Sequence, residues 1–345
     1  MLDRSPPLAV LLAGGEGSRL HELGAQEAKP ALPLAGRRLA DFAVAGAVEA
    51  GAQRLLVALR HRPETVSRHL REHWGDRIDL TLRDGLRQDV PDTATALAQI
   101  LDGEEAREVL VLPADQVHSL DLRALLAAHR ASGSPATLAS LGELSGAPAP
   151  CILNWPALRE TAAGSGADLW ADVLPTLASE GRLALWPMPA NTYLRDIDTL
   201  DDLRATILDF ERGTPCALPA GEEAGPLEDE EGRALAFEVA GLRLSAPKFG
   251  ARQRGRWTLL EDTAVLPGAR VAPGARLSRA VVATGAIVPA NLVVGEDPGE
   301  DARWFRVTPQ GTTLITASML AARAERLMRA QFGGRFPGLA TPKAR

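Results

Sequence analysis

From Leu260 the chain reads LEDTAVLPGARVAPGARLSRAVVATGAIVPANLVVG, with an apolar residue at every sixth position. Val265, Val271 and Leu277 make one run; after a shift, Val281, Ile287 and Val293 make a second. A six-residue period with small residues and turns is the mark of a β-helix, in which each short strand buries one aliphatic side chain. A meander of short strands is the alternative. A coil of few turns leaves its ends and an apolar face uncovered, so packing against the preceding domain or another subunit is expected.

The first two thirds of the chain follow a different rule. Short apolar runs fall at Leu8–Ala13, Arg54–Leu59, Ile78–Leu82, Glu108–Leu112, Ala136–Ser140, Cys151–Asn154 and Leu183–Trp186. Helical patterns lie between them at Leu39–Ala50, Pro63–His73, Thr93–Leu101, Leu122–Ala131 and Leu169–Ser179, and a last one follows at Thr199–Phe210. Strands alternating with helices predict an α/β domain over residues 1–212, with a mainly parallel sheet covered on both faces. Residues 213–255 open with a Pro-, Gly- and acid-rich stretch and read as a linker. The β-helix is then expected over 256–317. A helix from Ser318, with Met319, Leu320, Ala322 and Leu327 on or near one face, fills 318–345 with the tail.

Bulk properties exclude several classes. The formal net charge of −6 offers no broad basic field for nucleic acid. No apolar run approaches a membrane span, and Cys151 and Cys216 are too few for a disulfide framework. A cytoplasmic location is therefore expected, with no nucleic-acid or membrane partner.

The strand at Leu8–Ala13 runs into Gly14-Gly15-Glu16-Gly17-Ser18-Arg19-Leu20, and Lys29-Pro30 follows nine residues after Leu20. Glycines let the backbone turn sharply and bring N–H groups against an anion, while Arg19 and Lys29 supply positive charge. The spacing is neither G-x-x-x-x-G-K-[ST] nor G-x-G-x-x-G, so this is a triphosphate grip of another kind. The combination L-A-G-G-x-G-[ST]-R-L with x-K-P resembles the sugar-nucleotide pyrophosphorylases. The bacterial ADP-glucose pyrophosphorylases look closest, because the chain also carries similar G-E-x-x-x-E-D-A-R-x-F and G-x-x-L-V-T-x-x-M-L segments near its end. That ending favours this branch over guanylyl-, thymidylyl- or uridylyltransferases.

The resemblance implies a Rossmann-like nucleotidyltransferase fold followed by a small left-handed β-helix. It further implies Mg²⁺, ATP and a sugar 1-phosphate as ligands, a role in glycogen or α-glucan synthesis, and assembly into homo- or hetero-oligomers. Nucleotidyl transfer needs charge neutralisation and the positioning of two mutually repelling anions, and Mg²⁺ favours carboxylate oxygens. Asp115, after an apolar strand in VLVLPADQ, matches the family's G-D-H segment. Asp196, in TYLRDIDT, is similar to its W-R-D-[VI]-G-T segment. Both are expected at the metal, with Arg19 and Lys29 completing the catalytic set. Ala13, Gly14, Gly15, Gly17, Ser18, Thr93 and Ala94 are expected to bind the nucleotide. Asp41 reads as a helix-side structural residue, and Arg37 and Arg38 match a shortened basic effector segment.

Some family features are missing. The PDTATAL segment puts Asp92 where glycine is usual, and Gly-Asp-His has become Ala114-Asp115-Gln116. Between the strands at Ala136 and Cys151 the family inserts an excursion whose lysine holds the sugar phosphate. Here only LGELSGAPAP stands, with no basic residue, so Arg195 or another cation would have to substitute. His69 and His73 share a helix face without a third ligand, which predicts a solvated face rather than a zinc site. Three functions follow: an adenylyltransferase making ADP-glucose or a related sugar nucleotide, a catalytically impaired regulatory or scaffold subunit, and a transferase for a smaller phosphorylated acceptor.

Overall fold

The computed structural model describes residues 5–83, 93–142, 144–163, 166–213, 215–216, 236–239, 242–245 and 258–332. Asp92, most of the stretch read as a linker, and the tail beyond Phe332 lie outside them. The chain divides into two compact units, with the division passing through one helix, whose Leu203–Leu208 go with the second unit.

The first unit is built on a seven-stranded sheet. Its strands are β1 (Leu8–Ala13), β4 (Arg54–Leu59), β5 (Asp79–Arg83), β6 (Glu108–Pro113), β8 (Ala136–Ser140), β9 (Cys151–Asn154) and β10 (Leu183–Pro187), in the order β10-β8-β9-β6-β1-β4-β5. Two short ladders stand apart from it: β2 (Pro33–Leu34) with β3 (Arg37–Arg38), and β7 (Gln116–His118) with β11 (Leu194–Asp196). Every pairing in the large sheet is parallel except those of β9, which runs antiparallel to both β6 and β8. The cause is the short β8–β9 connection. A parallel return needs a crossover of about a dozen residues or more, and this loop is too short to hold one.

The α-helices of this part of the chain are α1 (Glu22–Gln26), α2 (Leu39–Glu49), α3 (Pro63–Trp74), α4 (Thr93–Ile100), α5 (Leu122–Ser132), α6 (Trp155–Ala163), α7 (Leu174–Ser179) and α8 (Leu200–Arg212), the last being the helix divided between the units. Strands β1, β4 and β6 are buried almost throughout, as parallel strands covered on both faces must be, and this explains their unbroken apolar runs. The helix expected over Leu169–Ser179 opens as a π-helical turn, Leu169–Val173, before becoming α7. Asp168 caps it by accepting from the N–H groups of Trp170 and Ala171. Helix α6 was not anticipated from the sequence.

The second unit stacks short strands into a β-helix-like coil. One sheet orders 236–239, 242–245, 258–261, 276–278 and 293–294, so part of the expected linker is strand. The sequence periodicity requires one correction. Val265, Val271 and Leu277 pair in parallel with Val282, Val288 and Val294, not with the residues one position earlier. Val288 is fully buried while Ile287 is 64% exposed. The step from Leu277 to Val282 is one residue shorter than the others, and the corner there, at Arg279, takes a left-handed backbone with φ of 51°. Because strand neighbours face opposite sides, that one-residue difference exchanges inward and outward positions. The C-terminal helix, Ala317–Phe332, packs Leu320 into this core, whereas Ala322 and Leu327 are exposed. No helix among the described residues is long and apolar enough to cross a membrane. Cys151 and Cys216 are free and buried.

Candidate functional site

The site forms where the strand order changes direction. From β1 the chain proceeds to β4 and β5 on one side, then crosses to β6 on the other. The carboxyl ends of β1 and β6 therefore flank a crevice, the usual ligand position in open α/β sheets. The register sets Leu12 opposite Pro113, and the N–H of Ala114 donates to the Leu12 carbonyl at 3.2 Å. The glycine-rich loop after β1 and Asp115 after β6 consequently leave the sheet side by side.

Two glycines of the loop are required by close approach. Gly17 has φ of 64° and opens the 3₁₀ turn Ser18–Leu20. Gly24, in α1, packs so tightly on it that a Cβ would stand 2.4 Å from the Gly17 carbonyl oxygen. Gly14 lies against Arg60, which follows β4, and a Cβ at Gly15 would meet nothing. Ala13 is buried as the last residue of β1, and Ser18 is exposed.

Asp196 reaches the crevice through the small β7–β11 ladder. Asp196 pairs with Gln116, and the N–H of Ile197 donates to the Asp115 carbonyl at 3.0 Å. Ligand oxygens of Asp115, Asp196 and Asp198 all lie within 4.8 Å of one another. Lys29, only 4% exposed, extends from the turn Lys29–Ala31 and donates to Asp115 at 2.7 Å and to Asp198 at 2.9 Å. The Arg19 guanidinium meets the other Asp198 oxygen at 2.8 Å. The four residues expected to be catalytic thus converge, and a fifth, Asp198, joins them. The sequence held a signal for it. In R-D-I-D-T, Asp198 stands where the W-R-D-[VI]-G-T pattern has glycine.

Electrostatics follow from this crowding. Burial and then the charges of Asp115 and Asp198 push the Asp196 carboxyl up to about 6. Burial also acts to raise Asp198, but Lys29 and Arg19 outweigh it and hold its carboxyl below the usual range. For Lys29, burial is opposed by Asp115 and Asp198, and the ammonium ends above its ordinary value. One oxygen of Asp196, Oδ1, is buried with no hydrogen-bond partner. An orphaned carboxylate oxygen beside two further acids, themselves paired with Lys29 and Arg19, fits a hard divalent cation, and the all-oxygen donor set suits Mg²⁺.

Other expected residues are placed differently. The Thr93 hydroxyl donates to Asp168 at 2.8 Å and accepts from the Leu169 N–H at 2.7 Å, while Ala94 is fully buried with its N–H on the Ala167 carbonyl. Both therefore tie α4 to the segment before the π turn. Arg195 does not turn to the crevice acids; it pairs with Asp209 at 3.0 Å and lies over the Tyr193 ring. Arg38 is drawn into a bond with Glu27 at 2.7 Å, and Arg37 donates to the Gly36 carbonyl.

The face of α3 read as solvated is exposed at His73 but anchored at His69. His69 meets the buried carboxylate of Asp41 at 2.7 Å, beside the Trp74 indole N–H at 2.8 Å and the Arg38 backbone N–H at 2.7 Å. Asp41 has the structural role expected of it. The β8–β9 loop is tethered rather than extended, since Gln116 donates to the Pro148 carbonyl and Trp170 to that of Ala149.

Two family models and several known proteins match this chain. Residues 8–148 match the nucleotidyl transferase family, and residues 251–315 match the GlmU-like C-terminal hexapeptide family. A glucose-1-phosphate adenylyltransferase of Jannaschia sp. (strain CCS1) is 27% identical over 407 aligned residues, covering 92% of this chain and 97% of the relative. Proteins of the same name from Thiobacillus denitrificans and Bradyrhizobium diazoefficiens are each 28% identical, over 91% of this chain and 90% and 96% of their own lengths. With 407 aligned positions against a chain of 345 residues, the first of these carries segments that this chain lacks.

Proposed function

We propose, for a chain that is a nucleotidyl transferase with a GlmU-like hexapeptide C-terminus and a distant full-length homologue of the glucose-1-phosphate adenylyltransferases, that it joins ATP to a sugar 1-phosphate and releases pyrophosphate. Glucose 1-phosphate is the first acceptor to try, with ADP-glucose as product. The observation that carries the reading is the meeting of Lys29 and Arg19, from the glycine-rich segment, with the carboxylates of Asp115, Asp196 and Asp198.

In this reading the loop Gly14–Gly17 receives the triphosphate against backbone N–H groups, with Lys29 and Arg19 drawing charge off it. The acceptor phosphate attacks the α-phosphorus in line, so one P–O bond forms as the bond to the leaving pyrophosphate breaks. Asp115, Asp196 and Asp198 would hold a Mg²⁺ ion, which supplies charge neutralisation on phosphate oxygens when bound. Arg60 lies beside Gly14 and could add positive charge there. Assembly into oligomers in a reducing cytoplasm completes the reading; the exposed Ile287 and Val293 and the two free thiols support it.

A second reading is favoured by a specific observation. The β8–β9 loop contains no basic residue and Arg195 is committed to Asp209, so a cation for the sugar phosphate is missing from both expected places. That fits a nucleotide-binding regulatory or scaffold subunit working with an active paralogue, or a transferase for a smaller phosphorylated acceptor. Pyrophosphate release from ATP with Mg²⁺, measured over a panel of sugar 1-phosphates and smaller phosphorylated acceptors, separates the three. Turnover with a sugar 1-phosphate supports the transferase, and turnover only with a smaller acceptor moves the substrate class. No turnover with any acceptor, alongside ATP binding that Lys29→Ala removes, supports the subunit.

A further inference from the structure

Asp198 uses both carboxylate oxygens on the cations that a triphosphate needs: Oδ1 on Lys29 at 2.9 Å and Oδ2 on Arg19 at 2.8 Å. One carboxylate thereby spans two positive groups that leave the chain from separate turns, as two oxygens of a polyphosphate would. Lys29 is buried, so it has no water to exchange for a lost partner, and two of its three donor positions are spent on Asp115 and Asp198. An anion entering this arrangement meets carboxylates on both sides of the ammonium. Phosphate oxygens can take over the donors that Asp198 occupies on Lys29 and Arg19 only once Asp198 has moved or its charge has been offset.

We propose that Asp198 is a positioning residue that couples divalent-cation binding to polyphosphate capture: it holds Lys29 and Arg19 when no cation is present and releases them when one is bound. The inference rests on the nucleotidyl-transfer reading of the same crevice. Three features carry it. An Asp198 oxygen lies within 4.8 Å of oxygens of Asp115 and Asp196, so a cation between them attracts the carboxylate that otherwise occupies the two basic groups. Asp198 lies just ahead of α8, whose capping residue is Thr199, so turning its side chain breaks no helical hydrogen bond. Its side chain is about one third exposed, which leaves it room to turn.

The test is calorimetric titration of ATP into the full chain, in EDTA and in Mg²⁺, for wild type, Asp198→Asn, Asp198→Gly and Lys29→Ala. Comparing variants at the same Mg²⁺ concentration cancels chelation by the nucleotide itself. In EDTA both Asp198 variants should bind ATP about tenfold more tightly than wild type, and the gain from Mg²⁺ should shrink by a similar factor. A purely structural role for Asp198 would not move the cation dependence. Equal affinities of wild type and both Asp198 variants in EDTA, with Lys29→Ala impaired, would overturn the coupling and leave the nucleotidyl-transfer reading standing. Weaker binding by both Asp198 variants under both conditions would overturn it too, making Asp198 a direct contact. Absence of ATP binding in every protein, with or without Mg²⁺, would overturn both inferences together.

Discussion

Asp41 shows how much one side chain can tie together in this fold. Its buried carboxylate receives His69, the Trp74 indole and the Arg38 backbone N–H, joining α2, α3 and the end of β3. Burial acts to raise the Asp41 carboxyl, but the hydrogen bond and charge of His69, with the other donors, outweigh it and hold the group below the usual carboxylate range. The folded state therefore binds this proton more weakly than the unfolded chain. The stabilisation is fully present above the ordinary carboxylate value and is lost as pH falls through the lower folded one. Asp41→Ala leaves three donors without their partner, the Trp74 indole fully buried, and should cost about 3 kcal/mol or more in urea unfolding at pH 7. The difference from wild type should narrow below about pH 4, where the unfolded-state carboxyl becomes protonated. An Asp41→Ala protein as stable as wild type would show that the anchor does nothing.

Elements, more than single residues, decide what could be read in advance. Strands β1, β4 and β6 were legible because burial on both faces leaves no polar position to blur the run. The β7–β11 ladder was not, since three-residue strands carry no periodicity; yet that ladder brings Asp196 to Asp115. Asp198 stands where the family pattern has glycine, but its part in the site shows only in space, through its ion pairs with Lys29 and Arg19. The hexapeptide coil was legible in its period but not in its phase, because the short corner at Arg279 moves the second coil by one residue.

That phase can be measured. Val288→Ala should destabilise the second unit by about 2 kcal/mol through a cavity, whereas Ile287→Ala should change stability by no more than about 0.5 kcal/mol. The reverse order would restore the phase read from sequence. For the loop, Gly24→Ala forces a Cβ against the Gly17 carbonyl. ATP binding measured by calorimetry should weaken by about tenfold, or about 1.4 kcal/mol, with a smaller change in melting temperature. Unaltered ATP affinity would separate the Gly17–Gly24 contact from nucleotide binding.

Across the whole molecule, the chain aligns along nearly the full length of its longer relatives while omitting segments they carry. In the proposed reading, the nucleotide side of the crevice is the glycine loop with Lys29, Arg19 and three aspartates. The acceptor side has a short tethered loop and an arginine committed elsewhere. The central claim is that this crevice moves an adenylyl group. It is tested most directly by incubating the protein with Mg²⁺, glucose 1-phosphate and ATP labelled at either the α- or the γ-phosphate, and following where each label goes. Adenylyl transfer should leave the α-label in a sugar nucleotide and the γ-label in pyrophosphate, with both products falling at least about a hundredfold in Asp115→Asn. Release of γ-label as orthophosphate with no α-label on sugar, or label transfer undiminished in Asp115→Asn, would contradict it.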